Sequence, residues 1–189
     1  YESMMGLCYL LTLYGSVRYA DSNGKRKWLV CAVFFSVLGT LSKDVIVTAP
    51  FMVLLYDRIF LSSSFAEIKA KRFTLYAGLF LSLLFLTPRI MLAGGSEAGA
   101  GFGLTSVSPW EYFITQPRVI LHYLSLTFFP KTLCLDYGWP VAQSVAGQLH
   151  FIAGILFLLF LTGIALAKKP PLGYLGLWFF VILIPTSSI

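Results

Sequence analysis

The sequence predicts an all-α fold: a polytopic membrane helical bundle with about six transmembrane helices and one amphipathic helix at the membrane interface. Of the 189 residues, 58% are hydrophobic and only 12% are charged, and the mean hydropathy is +0.81. Because a soluble domain has about 25% charged residues, this composition is typical of a membrane protein. The net charge is +6, but the basic residues stand in short clusters between apolar runs, which indicates topology signals and no nucleic-acid partner.

A helical hairpin at residues 28–56 is the element around which the other segments are arranged. Two apolar runs, 28–41 and 45–56, are separated by Ser42-Lys43-Asp44. In one continuous transmembrane helix these charges would lie near the bilayer midplane, at about 2.5–3.5 kcal/mol each. Pro50 would also remove a hydrogen bond inside that helix. Two short helices avoid both penalties and place the charged tip below the membrane surface, where it needs water or protein partners.

Polar segments divide the rest of the chain. The other predicted transmembrane segments are 4–19, 73–92, 151–167 and 172–184, and the predicted loops are 21–27, 61–72, 93–103 and 131–149. Basic residues in short loops favour the cytoplasmic side, so 57–72 and 168–171 are both predicted to be cytoplasmic. Three helical segments lie between them, and only an even number of crossings returns the chain to the same side. One of the three therefore does not cross the membrane.

The exception is segment 108–130, whose polar residues recur every three or four positions. They are Ser108, Glu111, Thr115, Arg118, His122 and Ser125. Helical spacing puts them on one face, and Ser108-Pro109 is typical of a helix start. We expect an interfacial helix on the outer side, with its polar face toward a recess that the hairpin tip also enters.

This topology leaves four of the fourteen Lys and Arg residues on the outer side, near several acidic residues. The four are Lys43, Arg89, Arg118 and Lys131. The substrate-binding candidates are Lys43, Asp44, Glu111, Arg118, His122, Asp136 and Tyr137. Lys43 and Arg118 suit contact with a phosphate, with Asp44 orienting Lys43. Asp136 suits a general base or a sugar-hydroxyl acceptor, and Tyr137 suits stacking on a sugar.

Several of these candidates also have a purely structural interpretation. Lys43 and Asp44 can pair with each other or cap the short helices, and Arg118 can reach a lipid phosphate. Asp136 can stabilise a turn. The three cysteines have neither disulfide nor metal-ligand spacing, and no metal site is predicted.

Several short motifs occur in the order in which one enzyme family has them. Glu2-Ser3-Met4-Met5 resembles that family's Arg-x-Glu helix start. Ser42-Lys43-Asp44, Thr48-Ala49-Pro50 and Leu54-Leu55-Tyr56-Asp57 resemble its Ser-Lys-Glu/Asp, Thr-x-Pro and Leu-Leu-Tyr-Asp pattern. Asp136-Tyr137 and Trp178-Phe179, with Pro185, Ser187 and Ile189, resemble a later outer loop and the following helix. Along nearly all its length the chain resembles the transmembrane and tetratricopeptide-repeat protein O-mannosyltransferases and their bacterial relatives, with Asp44 where Glu is commoner and Ser188 where Asn is usual.

The resemblance implies a multispanning glycosyltransferase that moves a sugar, mannose in that family, from a polyprenyl-phosphate donor to a protein hydroxyl on the extracytoplasmic side. Its partners would be membrane lipid, the lipid-linked sugar and a protein acceptor, with no cofactor and usually no metal. The family's general base would precede Tyr1 and its repeats would follow Ile189. The chain is therefore expected to be an internal fragment of one membrane domain, inactive alone, in a bacterial inner membrane or the endoplasmic reticulum of a eukaryote.

Two other functions stay open at this point. A non-catalytic membrane anchor that presents tetratricopeptide repeats predicts that the outer charges tolerate neutral substitution. A transporter would place its intramembrane charges near the bilayer midplane, whereas here they are expected on one side. The sequence leaves the sugar and the acceptor undetermined.

Overall fold

A computed structural model describes residues 2–85, 108–130, 140–142 and 144–187. This part of the chain is helical and contains no strand, as the sequence predicts. Its seven α-helices are α1 (Glu2–Asp21), α2 (Arg26–Thr40), α3 (Ala49–Tyr56), α4 (Phe65–Ser82), α5 (Pro109–Phe128), α6 (Leu149–Lys168) and α7 (Pro170–Ser187). Short 3-10 helices cover Asp44–Thr48, Leu83–Phe85 and Ala146–Gln148, and a π-helical turn covers Asp57–Leu61.

The chain divides into two compact units. The first comprises Tyr1–Ser96 and Leu177–Thr186, and the second comprises Glu97–Gly176 and Ser187–Ile189. The first unit therefore contains α1 to α4 and the end of α7, while the second contains α5, α6 and the start of α7.

The predicted helical hairpin is present in the first unit. The helix α2 ends at Thr40, and Lys43 has extended backbone angles before the chain turns into the 3-10 helix. The following helix, α3, carries Pro50 in its first turn, where no intrahelical N–H is needed. The Thr48 hydroxyl lies 3.0 Å from the Tyr9 hydroxyl, and a small cavity farther along is lined by Leu13 of α1 and Asp57. Hence α3 runs back alongside α1, and the chain reverses at residues 41–48.

Apolar packing and small residues hold this unit together. Its buried cluster consists of Tyr19, Ala32, Val53, Ile68, Leu75, Tyr76 and Leu79. A Cβ atom on Gly15 would lie 3.0 Å from the backbone nitrogen of Ala32, so glycine allows α1 and α2 to approach closely. Between α2 and α4, the hydroxyls of Ser36 and Ser82 form a buried hydrogen bond of 2.7 Å.

The predicted loop at 61–72 is wrong for most of its length, because α4 begins at Phe65. Ser64 caps the helix by accepting a hydrogen bond from the backbone N–H of Glu67. The Glu67 carboxylate accepts from the Ser63 N–H and pairs with Lys71 one turn later. These local interactions stabilise a polar helical segment, and the helix is interrupted only at Arg72, whose φ is −132° and ψ is 20°.

The second unit contains the predicted amphipathic helix and an apolar helical hairpin. The predicted boundary at 168–171 is correct, since α6 ends at Lys168 and α7 begins at Pro170. Among the described residues, one helix, Ala146–Lys168, is long and apolar enough to cross a membrane, and Pro170–Pro185 is a shorter apolar helix. No residue of α6 is buried. The arrangement with about six crossings stays a prediction.

Candidate functional site

The hairpin tip brings together two charged residues that lie far apart in the sequence. The Lys43 ammonium forms an ion pair with the carboxylate of Glu2, at the start of α1. Both groups are accessible, since the Lys43 side chain is 38% exposed and that of Glu2 is 69% exposed. Asp44, the next residue, begins the 3-10 helix and is also exposed. The sequence singled out Lys43 and Asp44, and the structure adds Glu2 as the partner of Lys43.

Packed residues beneath the tip hold it in place. Ile46 is fully buried, and a Cβ atom on Gly39 would lie 2.6 Å from its Cγ1 atom. The Thr48 hydroxyl, besides contacting Tyr9, donates to the Val45 carbonyl at 2.8 Å. The Tyr9 ring in turn stacks on Trp178, with ring centroids 5.6 Å apart. The exposed charges therefore stand on a tightly packed base.

Charge is strongly segregated between the two ends of the first unit. Lys43 lies at the end formed by the start of α1 and the hairpin tip. The other Lys and Arg residues in its described part lie at the opposite end: Arg18, Lys25, Arg26, Lys27, Arg58, Lys69, Lys71 and Arg72. The assignment of the basic end to the cytoplasm stays a prediction.

The candidates on α5 lie along its partly buried side. Glu111 accepts hydrogen bonds from the N–H of Ser108 at 2.9 Å and from its hydroxyl at 2.8 Å, which completes a capping box. The Ser108 N–H and hydroxyl lower the pKa of the Glu111 carboxyl. This cap accounts for Glu111 structurally. The predicted helix start at Ser108-Pro109 is confirmed, and α5 is the most amphipathic of the described helices.

The remaining α5 candidates are only partly exposed. Thr115 accepts a hydrogen bond of 2.9 Å from the N–H of Ala142, which attaches the 140–142 segment to the helix. Arg118 and His122 follow on the same side, and both are partly buried and engaged in contacts. Asp136 and Tyr137 lie outside the described residues. Because Lys43 and Asp44 belong to the first unit and α5 to the second, the shared recess stays a prediction.

The sequence does not predict the buried ionic cluster at the basic end. The Asp57 side chain is only 4% exposed, and its carboxylate accepts from Arg72 Nη1 at 2.5 Å. It also accepts from the Ser62 hydroxyl at 2.7 Å and the Tyr76 hydroxyl at 2.8 Å. The sequence indicates only that Asp57 follows one apolar run and Arg72 precedes the next, so that both lie on the same predicted side of the membrane.

The described residues include no group of three or more His, Cys, Asp or Glu side chains that could hold a metal ion. Cys8 and Cys31 are free thiols within α1 and α2.

Comparisons with family models, with curated proteins and with solved structures give no match for this chain. The membership in the O-mannosyltransferase family that the motifs indicate therefore stays a prediction.

Proposed function

We propose that this chain is part of an integral-membrane glycosyltransferase of the protein O-mannosyltransferase type. The enzyme would move a sugar, mannose on the motif resemblance, from a polyprenyl-phosphate donor to a protein hydroxyl on the extracytoplasmic side. The observation that carries the proposal is the position of Lys43. It is paired with Glu2 at the end of the first unit that is opposite eight other basic residues.

The exposed surfaces support a position in the membrane. The apolar helix α6 has no buried residue. On the first unit, large apolar side chains such as Leu7, Val30 and Phe73 are more than half exposed. Water-exposed apolar surface of this extent is unfavourable, whereas lipid tails would cover it at no loss. With several helices inserted, the basic end would face the cytoplasm and Lys43 the outer side.

The presence of the Lys43 cation at the end of the first unit that lacks other described basic residues suits the chemistry of the proposed reaction. The acceptor hydroxyl oxygen forms a bond to the anomeric carbon, while the bond from that carbon to the phosphate oxygen breaks. The phosphate leaves with the bonding electrons, and the acceptor proton passes to a general base that the resemblance places before Tyr1. Negative charge grows on the departing phosphate, so a fixed ammonium there stabilises the transition state more than the ground state.

In this assignment Lys43 contacts the donor phosphate and Glu2 holds the ammonium in position. Asp44 remains the candidate for a second orienting carboxylate. Arg118 on α5 is an independent candidate for phosphate contact, because a guanidinium can bind phosphate through two parallel hydrogen bonds.

The test measures mannose transfer from polyprenyl-phosphate mannose by the full-length protein in membranes. We expect Lys43→Ala to lower the rate about a hundredfold or more, as removal of one transition-state donor does. Lys43→Arg should retain more activity than Lys43→Ala, because it keeps the charge. The matched control is Lys69→Ala, which removes an exposed lysine at the opposite end and should leave the rate unchanged.

Near wild-type transfer by Lys43→Ala, at normal expression, would overturn the assignment. The non-catalytic anchor predicts no transfer activity above background, either in the unaltered protein or in Lys43→Ala. Comparing Glu2→Gln with Lys43→Ala distinguishes the residue that positions the ammonium from the residue that contacts the donor phosphate. Loss of the supporting carboxylate should reduce the rate less than loss of the ammonium itself.

A further inference from the structure

A polar cleft opens at the basic end of the first unit, where the turn between α1 and α2 faces α4. It is lined by Tyr19, Ala20, Asn23, Gly24, Lys71 and Arg72, and its volume is about 310 Å³. It lies at the opposite end of the unit from Lys43, and the proposed sugar transfer makes no use of it.

The cleft is built by a rigid turn on one side. Asn23 and Gly24 both have positive φ values, 53° and 81°, a conformation that asparagine and glycine tolerate better than other residues. The Gly24 N–H donates to the Tyr19 carbonyl at 3.0 Å. The Tyr19 hydroxyl in turn lies 3.1 Å from that of Thr74 on α4. The turn is therefore anchored to the helix across the cleft.

The other wall is α4 at its irregular point. Arg72 departs from helical angles, and its guanidinium is committed to Asp57 and the Ser62 hydroxyl. Lys71, in contrast, is 65% exposed, and its partner Glu67, one turn away, has a side chain that is 29% exposed. Such surface pairs contribute little and rearrange readily, so the Lys71 ammonium can turn to an anion.

The local charge balance favours an anion. Eight Lys and Arg residues stand at this end against three acidic residues, Asp21, Asp57 and Glu67. Asp57 is neutralised by Arg72 in the buried cluster. Three basic residues, Lys25 to Lys27, directly follow the turn that forms the cleft wall. Basic residues that follow the α1–α2 turn and basic residues on α4 therefore make the electrostatic potential at the cleft positive.

We propose that this cleft binds the phosphate of an anionic lipid headgroup on the cytoplasmic side. The volume is at the lower end of the range for small-molecule sites, about 300–1,000 Å³, which suits a phosphate with its glycerol. Basic pockets at the cytoplasmic ends of membrane helices recognise such headgroups. The exposed Phe73 ring, directly after Arg72, lies where an acyl chain would begin. The proposal rests on the membrane orientation proposed above, but it is independent of sugar transfer.

The test compares three variants that each make the net charge more negative by one unit. Lys71→Gln removes the exposed cleft cation, and Asn23→Asp adds an anion to the cleft at a position whose positive φ aspartate tolerates. Lys69→Gln is the matched control, because Lys69 is exposed on the same helix but does not line the cleft. The full-length protein is purified in detergent with a zwitterionic phospholipid and an anionic phosphatidylglycerol, and native mass spectrometry counts the retained lipids.

Retention of phosphatidylglycerol over the zwitterionic lipid is expected in the unaltered protein. It should fall about tenfold or more in Lys71→Gln and Asn23→Asp, because each changes a charge beside the bound phosphate, and no more than about fivefold in Lys69→Gln, the factor for one charge near a membrane surface. Equal losses in all three variants would show diffuse charge attraction and overturn the site. Inorganic phosphate is the second probe. If it binds with the same variant pattern while no anionic lipid is retained, the ligand is free phosphate and the lipid proposal is wrong.

Failure of the transferase proposal gives a different result. Lipid retention needs no donor sugar, so an inactive protein that still retains phosphatidylglycerol selectively rejects the enzyme assignment only. An unchanged melting temperature in each variant shows that a loss of lipid is not a loss of folding.

Discussion

Replacing Asp57 by alanine should destabilise the first unit strongly, because it leaves the largely buried Arg72 guanidinium without its carboxylate partner. The Arg72 side chain is only 14% exposed, and its Nη1 atom would keep the Ser62 hydroxyl as its partner in the cluster. Tyr76, whose hydroxyl donates to Asp57, is itself buried and would lose that acceptor. The variant therefore removes the carboxylate that accepts hydrogen bonds from Ser62, Arg72 and Tyr76.

The magnitude follows from the number and type of bonds lost. A hydrogen bond to a charged group contributes about 1.5–3 kcal/mol, and the carboxylate accepts three. These contributions do not add fully, because Arg72 and Ser62 still contact each other in the variant. Breaking a buried ion pair by removing one partner typically costs about 3–5 kcal/mol, which we expect for Asp57→Ala. Tyr76→Phe, which removes one hydroxyl and keeps the ring, should cost about 1.5–3 kcal/mol.

The assay is reversible unfolding of the protein in mixed micelles, followed by tryptophan fluorescence. A double-mutant cycle of Asp57→Ala with Arg72→Ala isolates the pair, since neighbours in one network give coupling energies of about 0.5–3 kcal/mol. Lys69→Ala is the surface control, with an expected change within about 0.5 kcal/mol. A loss below about 1 kcal/mol for Asp57→Ala, or no coupling to Arg72, would refute the reasoning.

Three further predictions concern single positions. Gly39→Ala should cost about 1–3 kcal/mol of unfolding free energy, because the new methyl group would meet the buried Ile46 side chain; an unchanged value in the micelle assay would contradict this packing. Ser108→Ala removes the α5 cap and should cost about 1 kcal/mol, with faster amide exchange in the first turn of the helix; unchanged exchange would reject the cap. The Lys71 ammonium and the Ser63 N–H and hydroxyl lower the pKa of Glu67 to about 2, below its ordinary value. Since this pKa is depressed by folding, the contribution of Glu67 to stability, which is small because the pair is solvent-screened, is present above the unfolded pKa and is lost as the pH falls toward about 2; carboxyl NMR titration should give that low value, and an ordinary Glu pKa would contradict it.

The sequence predicted the elements whose cause is local. The predicted break at Ser42-Lys43-Asp44 follows from two adjacent charges and a proline in an apolar run. In the structure α2 ends at Thr40 and the 3-10 helix begins at Asp44. The start of α5 follows from Ser108-Pro109, and the α6–α7 boundary from the prolines after Lys169. In each case a side chain or backbone restriction acts within one helical turn, so no tertiary information is needed.

The incorrect or missing predictions concern residues whose structure depends on contacts between helices, or on local contacts that outweigh the effect of their polar composition. The polar residues at 65–72 were assigned to a loop because of their charge, but a cap and an ion pair one turn apart stabilise a helix there. The two informative ion pairs join residues far apart in the chain: Lys43 with Glu2, and Asp57 with Arg72. Their partners could be found only once the packing of the helices was known.

The helix α3 lies between these two ion pairs and links their positions. It has only eight residues, and each of its ends is fixed by polar contacts to a neighbouring helix. At its start Thr48 meets Tyr9 of α1, and after its end Asp57 meets Arg72 and Tyr76 of α4. A helix this short is too marginal to hold a geometry by itself, so its buried side chains, among them Met52 and Val53, and the contacts at its two ends together determine where the hairpin tip stands. The Asp57 cluster at the basic end therefore supports the position of Lys43 at the other end, although the two residues never touch.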